Sequence, residues 1–164
     1  PDRCSIGRVA DAAHVNTTNS DYDYLGPELR RKRMIPVLGR VRAKSLEEFG
    51  ELIRHPGEEH TYVLEGRVMF HTEFYDPIAL ETGESVYIDS NMGHAYLAAE
   101  DCDEAEVLGV MSSNDEELMD FMLHLHEEQR QNAVPANEDT PVEDRDRATK
   151  RPSRLGWVRP LPIR

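Results

Sequence analysis

The sequence predicts an all-β domain of antiparallel strands, followed by one amphipathic helix. Between residues 59 and 112, short runs rich in Val, Tyr, Ile and Phe are separated by turn residues at spacings of about 8 to 12, which is typical of a β-sandwich or barrel. After residue 113 the apolar residues recur at helical spacing instead. The chain has 164 residues, which is enough for one domain with a hydrophobic core.

Four segments follow from these patterns: a lead-in segment (1–33), a β-barrel (34–112), a helix (113–131) and an extended polar tail (132–164). In the lead-in segment a short strand is predicted near residues 6–10, and Tyr22 and Tyr24 are the first expected core anchors. The tail is rich in Pro, Asp and Arg, a composition that rarely forms a core of its own. We expect it to wrap around its own domain or around a second subunit.

The barrel segment contains seven predicted strands, near residues 34–43, 59–65, 67–73, 77–81, 84–88, 94–99 and 104–111. Glu65 and Gly66 predict a tight hairpin turn, because glycine adopts positive φ without steric cost. Residues 46–52 have two interpretations. Ser45 and Glu48 have the spacing of a capped helical turn, and a strand running into His55 is the alternative.

One helix is predicted over residues 114–130. Ser113 and Glu116 have the spacing of a capping box. The apolar residues at i, i+3, i+4 and i+7 are Leu118, Phe121, Met122 and Leu125. This stripe indicates a face that packs on the sheet or on a partner chain. His124 and His126 are two positions apart on the helix, so their rings are expected to diverge and not to share a metal ion.

Composition disfavours several functions. A net charge of −13 opposes binding to nucleic-acid phosphates through this chain itself. No apolar run approaches the length of about 20 residues that crosses a bilayer, and the first residues lack the apolar core of a signal peptide. Cys4 and Cys102 fit no paired metal-binding spacing. We interpret them as free thiols of a cytoplasmic protein, with a disulfide as the alternative.

The alternation of side chains along a strand groups the candidate site residues. Glu59 shares its face with Thr61 and Val63, whereas His60 lies on the opposite face. A buried carboxylate is costly unless it is paired or bound to a metal ion, which makes Glu59 the strongest candidate ligand. A shift of the register by one residue would exchange the roles of Glu58 and Glu59.

A metal site is predicted where His55, Glu59 and His94 converge inside the barrel. Two imidazoles and one carboxylate suit Fe(II), and the same donors also accept Zn, Ni or Mn. Open positions on such an ion allow a ligand or substrate to bind it directly. The predicted ligand-binding residues around the ion are Tyr96, Thr61 and Val63.

These residues resemble the two sequence motifs of the cupin superfamily. His55, Glu59 and Gly66 stand at the positions of a histidine, the glutamate and the closing glycine of the first motif. Ile53 stands where that motif usually has another histidine, and His94 ends the second motif. The resemblance implies an antiparallel jelly-roll β-barrel, usually dimeric, with either three metal ligands or an empty site.

A narrower resemblance is to the cupin sensor domains of bacterial XRE-type helix-turn-helix regulators. It lies in residues 57–70 (GEEHTYVLEGRVMF) and in the upstream segment 22–36. It implies the effector-sensing part of a transcriptional regulator, a homodimer that binds a small polar or anionic ligand. Any DNA-binding unit would then precede Pro1. The alternative is a metal-dependent cupin enzyme, such as a non-haem Fe(II) oxygenase or epoxidase, an isomerase or a lyase. A cupin with a vacant site and a binding role is the third hypothesis.

Overall fold

The computed structural model describes residues 4–29, 32–114 and 117–132. In these ranges nine strands form two antiparallel sheets. The strands are β1 (Ala13–Asn16), β2 (Ser20–Tyr24), β3 (Met34–Val41), β4 (Glu58–Glu65), β5 (Arg67–Thr72), β6 (Ile78–Glu81), β7 (Ser85–Asp89), β8 (His94–Ala98) and β9 (Ala105–Ser112). The helices are α1 (Leu46–Phe49) and α2 (Leu118–Asn132). The predicted tail beyond residue 132 lies outside the described residues.

The larger sheet has the strand order β1–β2–β3–β9–β4–β7, and the smaller sheet has the order β6–β5–β8. Gly66, with φ of 80°, forms the predicted tight turn between β4 and β5. The two strands do not pair with each other, because β4 pairs with β7 and β9 while β5 pairs with β6 and β8. The turn is therefore a corner between sheets and not a hairpin. The predicted all-β jelly-roll fold with a C-terminal helix is confirmed.

The lead-in segment differs from its prediction. Residues Val9–Asp11 form a 3-10 turn where a strand was predicted near residues 6–10. Strands β1 and β2 were not predicted, because the polar composition of residues 16–23 indicated a loop. Two arginines pair with the aspartates of β2: Arg40 of β3 donates to Asp23 at 3.2 Å, and Arg42, which directly follows β3, donates to Asp21 at 2.7 Å.

The two interpretations of residues 46–52 are resolved in favour of a helical turn. The Ser45 side chain accepts a hydrogen bond of 3.2 Å from the backbone N–H of Glu48, which caps α1. Gly50, with φ of 95°, ends the turn. The chain then runs through residues 51–57 into β4, and this segment carries His55.

Helix α2 begins at Leu118, four residues later than predicted, and Glu116 of the predicted capping box lies outside the described residues. Its buried positions recur every four residues, at Leu118, Met122 and His126. Phe121, which was predicted on the packed face, is 43% exposed. None of the helices in the described ranges combines the length and apolar character that a bilayer span requires.

Two apolar clusters form the core. The first lies between the sheets and consists of Val41, Val63, Val68, Phe70, Leu80, Ile88, Ala105 and Val107. The second packs α2 against the larger sheet and consists of Tyr24, Ile35, Val37, Met111, Leu118 and Met122. Helix α2 is therefore held by the same kind of apolar burial that joins the sheets.

Candidate metal centre

Strand β4 carries the central carboxylate. Glu59, Thr61 and Val63 are buried, and the residues between them face the other side of the sheet. His60, for example, lies on that outer side, with its ring centroid 6.3 Å from the ring of Tyr87. The predicted register is therefore confirmed, and Glu59 points into the barrel.

Backbone hydrogen bonds bring two histidines to the same place. His94 begins β8 and exchanges two backbone hydrogen bonds with Ile53, of 2.9 and 3.0 Å. The backbone N–H of His55 donates to the carbonyl of Ser90 at 2.9 Å. Both imidazoles are thereby fixed in the interior, and each residue is only 2% exposed.

We call His55, Glu59 and His94 the triad. Nε2 of His55 lies 2.9 Å and Nε2 of His94 lies 3.7 Å from the same Glu59 oxygen, Oε2. One ligand atom from each residue lies within 4.8 Å of the others. Two donors that each lie about 2.1 Å from one octahedral ion are about 3.0 Å apart when adjacent and about 4.2 Å apart when opposite. A small contraction of the triad would therefore let it share one divalent ion.

The two carboxylate oxygens of Glu59 have different partners. Oε1 accepts hydrogen bonds from the hydroxyl of Thr61 at 2.9 Å and from that of Tyr96 at 2.7 Å. Oε2 is directed at the two imidazoles. Thr61 and Tyr96 therefore hold the carboxylate in one rotation, with a single oxygen presented where a metal ion would bind.

The electrostatic interactions within the triad favour an ionised Glu59 and a protonated His94. Burial alone would raise the pKa of Glu59, but the interactions with His55 and His94 outweigh it and hold the pKa far below its ordinary value. Burial lowers the pKa of His94, but the Glu59 carboxylate outweighs this effect and raises the pKa. Nδ1 of His94 lies 2.8 Å from the carbonyl of Met92, so an N–H at this position would donate to that carbonyl and turn Nε2 toward Glu59.

A salt bridge outside the barrel holds the segment that precedes His94. The guanidinium of Arg54 donates to Glu73 at 2.6 Å, and Glu73 also accepts the backbone N–H of Gly93 at 3.0 Å. Arg54 is the neighbour of His55 in the chain, and Gly93 is the neighbour of His94. We call this pair the Arg54–Glu73 clamp, because it ties together the backbone on both sides of the triad.

The triad lines a cavity of about 60 Å³. Most of the remaining lining is apolar and includes Val37, Val41, Ile53, Val107, Met111 and Met122. Of the predicted ligand-binding residues, Thr61 and Tyr96 line the cavity. Val63 is not among the lining residues and packs in the cluster between the sheets. At the position where the cupin motif usually has its first histidine, Ile53 therefore presents an apolar side chain to the cavity.

Three further polar residues line the cavity and were not assigned to it from the sequence: Tyr22, Tyr24 and His126. Tyr22 and Tyr24 are two positions apart on β2, which places them on one face. His126 follows Met122 by four positions, which continues the buried face of α2. Both spacings can be read from the sequence. The polar residues around Tyr22 indicated a loop, however, so strand β2 was not predicted.

The fold has counterparts among known proteins. Residues 45–111 match the family model described as a cupin domain. No curated protein sequence matches the chain. Among solved structures, Fe(II) HppE has 22% identity and a TM-score of 0.60 over 68% of this chain and 61% of that chain. Hydroxypropylphosphonic acid epoxidase from S. wedmorenis has 23% identity and a TM-score of 0.59 over 68% of this chain and 60% of that chain.

A structure of Co(II) HppE in complex with substrate also shares the fold, with 22% identity and a TM-score of 0.55 over 68% of this chain and 59% of that chain. The chain thus spans about three fifths of the length of these structures. At this level of identity the likeness shows a common fold. Residues 45–111 are thus similar to the cupin domain family, and the chain shares its fold with these structures.

Proposed function

We propose that this protein captures a small oxygen-containing ligand on a divalent metal ion that His55, Glu59 and His94 would hold inside the cupin barrel. The observation that carries the proposal is the triad itself, because three buried donor atoms of suitable chemistry lie within 4.8 Å of one another on the wall of a cavity. Fe(II), Zn, Ni and Mn all suit two imidazoles and one carboxylate.

The charges of the site favour an anionic or polar ligand. The triad carries one carboxylate, so a divalent ion would leave a net positive charge in a largely apolar cavity. Thr61 and Tyr96 already occupy Oε1 of Glu59, which leaves Oε2 as the oxygen for the ion. Three protein ligands would leave open positions at which a ligand oxygen can bind.

We further propose that this binding serves effector sensing in a bacterial transcriptional regulator. Support comes from the resemblance of residues 57–70 to the sensor domains of XRE-type regulators. In this proposal the chain acts as a homodimer, and a helix-turn-helix unit that precedes Pro1 contacts the DNA. The net charge of −13 is in keeping with a chain that does not itself bind nucleic acid.

The second candidate function is that of a metal-dependent enzyme. The observation that favours it is the fold shared with Fe(II) HppE and with a protein named as an epoxidase. Fe(II), when bound, would supply redox chemistry with oxygen. The protein itself would orient the substrate against the triad and exclude water through the apolar lining of the cavity.

Metal analysis tests the proposal. Protein purified without chelator, or reconstituted with Fe(II) or Zn, is expected to hold about one ion per chain. The Glu59→Gln variant should lose the ion, while the control His60→Ala, on the outer face of the same strand, should keep it. An equal metal content in all three proteins, or none in the wild type, would refute the site. Oxygen consumption that depends on an added substrate would favour the enzyme over the sensor.

A further inference from the structure

The cavity has a second polar group besides the triad. It consists of Tyr22 and Tyr24 of β2 and His126 of α2, which we call the tyrosine–histidine group. The hydroxyl of Tyr24 lies 2.6 Å from Nε2 of His126, in hydrogen-bonding contact. The ring of Tyr22 stacks on the imidazole, with centroids 4.2 Å apart. All three residues lie outside the range 45–111 that matches the cupin family model.

Packing alone does not explain why polar side chains occupy these buried positions. Tyr24 is 0% and His126 is 2% exposed. A buried pair of polar side chains is often no more stable than an apolar pair of the same shape, so a simple packing role would be filled as well by Phe and Leu. Tyrosine has one hydroxyl proton and two lone pairs on its oxygen. A single bond to His126 therefore leaves the Tyr24 hydroxyl able to form another.

The size and charge of the cavity restrict the ligand. A volume of about 60 Å³ corresponds to roughly four to six water-sized positions, since one water needs about 10–15 Å³ on this measure. No lysine or arginine lines the cavity in the part of the chain that the structure describes. An acidic group would therefore find its countercharge only at the metal ion. The tyrosine–histidine group suits an uncharged oxygen.

We propose that Tyr24, held by His126, is a hydrogen-bonding subsite for the hydroxyl of a short hydroxycarboxylate whose carboxylate binds the metal ion. This inference rests on the proposed function for the position of the carboxylate. What it adds is a second contact point for the ligand. Chain segments before and after residues 45–111 supply this contact point. Burial also raises the pKa of Tyr24, with smaller contributions from the charges of Tyr22 and Glu59, so the phenol stays protonated at neutral pH.

A matched pair of probes tests the subsite. Protein loaded with Co(II) is titrated with 3-hydroxypropionate and with propionate, which differ only in the hydroxyl, and binding is followed in the visible spectrum of cobalt. One hydrogen bond is worth about 0.5–1.5 kcal/mol, so the wild type should bind the hydroxylated probe about 2- to 10-fold more tightly. In Tyr24→Phe this preference should disappear, while the affinity for propionate changes less than about twofold.

A control on the same helix is available. His124 is exposed and lies two positions before His126, so His124→Ala should keep the full preference for the hydroxylated probe. His126→Phe provides a second test should Tyr24→Phe fail to fold, because it keeps an aromatic ring against Tyr22 but removes the group that orients the Tyr24 hydroxyl. It should lose most of the preference.

Three results would overturn the inference: equal binding of the two probes by the wild type, binding of neither, or a preference that survives in both Tyr24→Phe and His126→Phe. The cobalt content of each sample separates this inference from the proposed function. Wild-type protein that holds no cobalt refutes the metal site. Wild-type protein that holds cobalt but shows no preference for the hydroxyl refutes only the subsite.

Discussion

The Tyr96→Phe substitution isolates the contribution of a residue that would not itself touch the metal ion. It removes one of the two hydrogen bonds to Oε1 of Glu59, that of 2.7 Å, and keeps the aromatic ring, which stacks on Phe70 with centroids 5.1 Å apart. Loss of a group that orients a metal ligand typically lowers metal affinity about 10- to 100-fold. Thr61 still donates to the same oxygen at 2.9 Å, so we expect the lower end, about tenfold.

The double variant Thr61→Val, Tyr96→Phe removes both donors and should approach the upper end of that range, about 100-fold. Competition between the protein and a chromophoric chelator for Zn measures both losses. The matched control is Tyr87→Phe, because Tyr87 is 63% exposed on the outer face of β7 and should leave the affinity unchanged. The reasoning fails if Tyr96→Phe binds Zn as tightly as Tyr87→Phe, provided that circular dichroism shows both variants to be folded.

Three further predictions concern pH, the clamp and the backbone. Because the pKa of His94 is raised, a proton competes with the metal ion, so the affinity for Zn should weaken as the pH falls and binding should release protons into a weakly buffered solution. Glu73→Gln breaks the clamp and should weaken Zn binding about tenfold in the same competition assay, whereas Glu81→Gln, which alters a surface salt bridge away from the triad, should not. Gly57→Ala should lower the melting temperature far more than Gly50→Ala. Both positions have positive φ, but a Cβ at Gly57 would lie 2.0 Å from a backbone oxygen of β9 and one at Gly50 would meet nothing within 4 Å.

Much of the barrel could be predicted because its strands carry their own signals. From β3 to β9, β-favouring runs bounded by turn residues lie close to the observed elements. Which strands belong to which of the two sheets could not be predicted from such local patterns. The chain makes a tight turn at Gly66 whether it folds back as a hairpin or crosses to the other sheet, and only tertiary packing decides between them. Strand β2 was missed because its aspartates are paired with Arg40 and Arg42, which are distant in sequence.

The convergence of the triad followed from strand alternation and motif spacing. Glu59 was placed by its parity with Thr61, and this part of the reasoning needs only local geometry. The contribution of α2 to the cavity depends instead on where the helix docks. No local pattern in residues 118–132 indicates that His126 meets a tyrosine of β2, so the wider cavity could not be predicted from the sequence.

The contact between Tyr24 and His126 joins positions 102 residues apart, and this separation has a consequence for the order of folding. Chains emerge from the ribosome N-terminal end first, so the strands that carry the triad are complete before His126 is synthesised. The cavity is therefore finished late, and a nascent chain that already has its barrel strands still lacks one wall of its binding site.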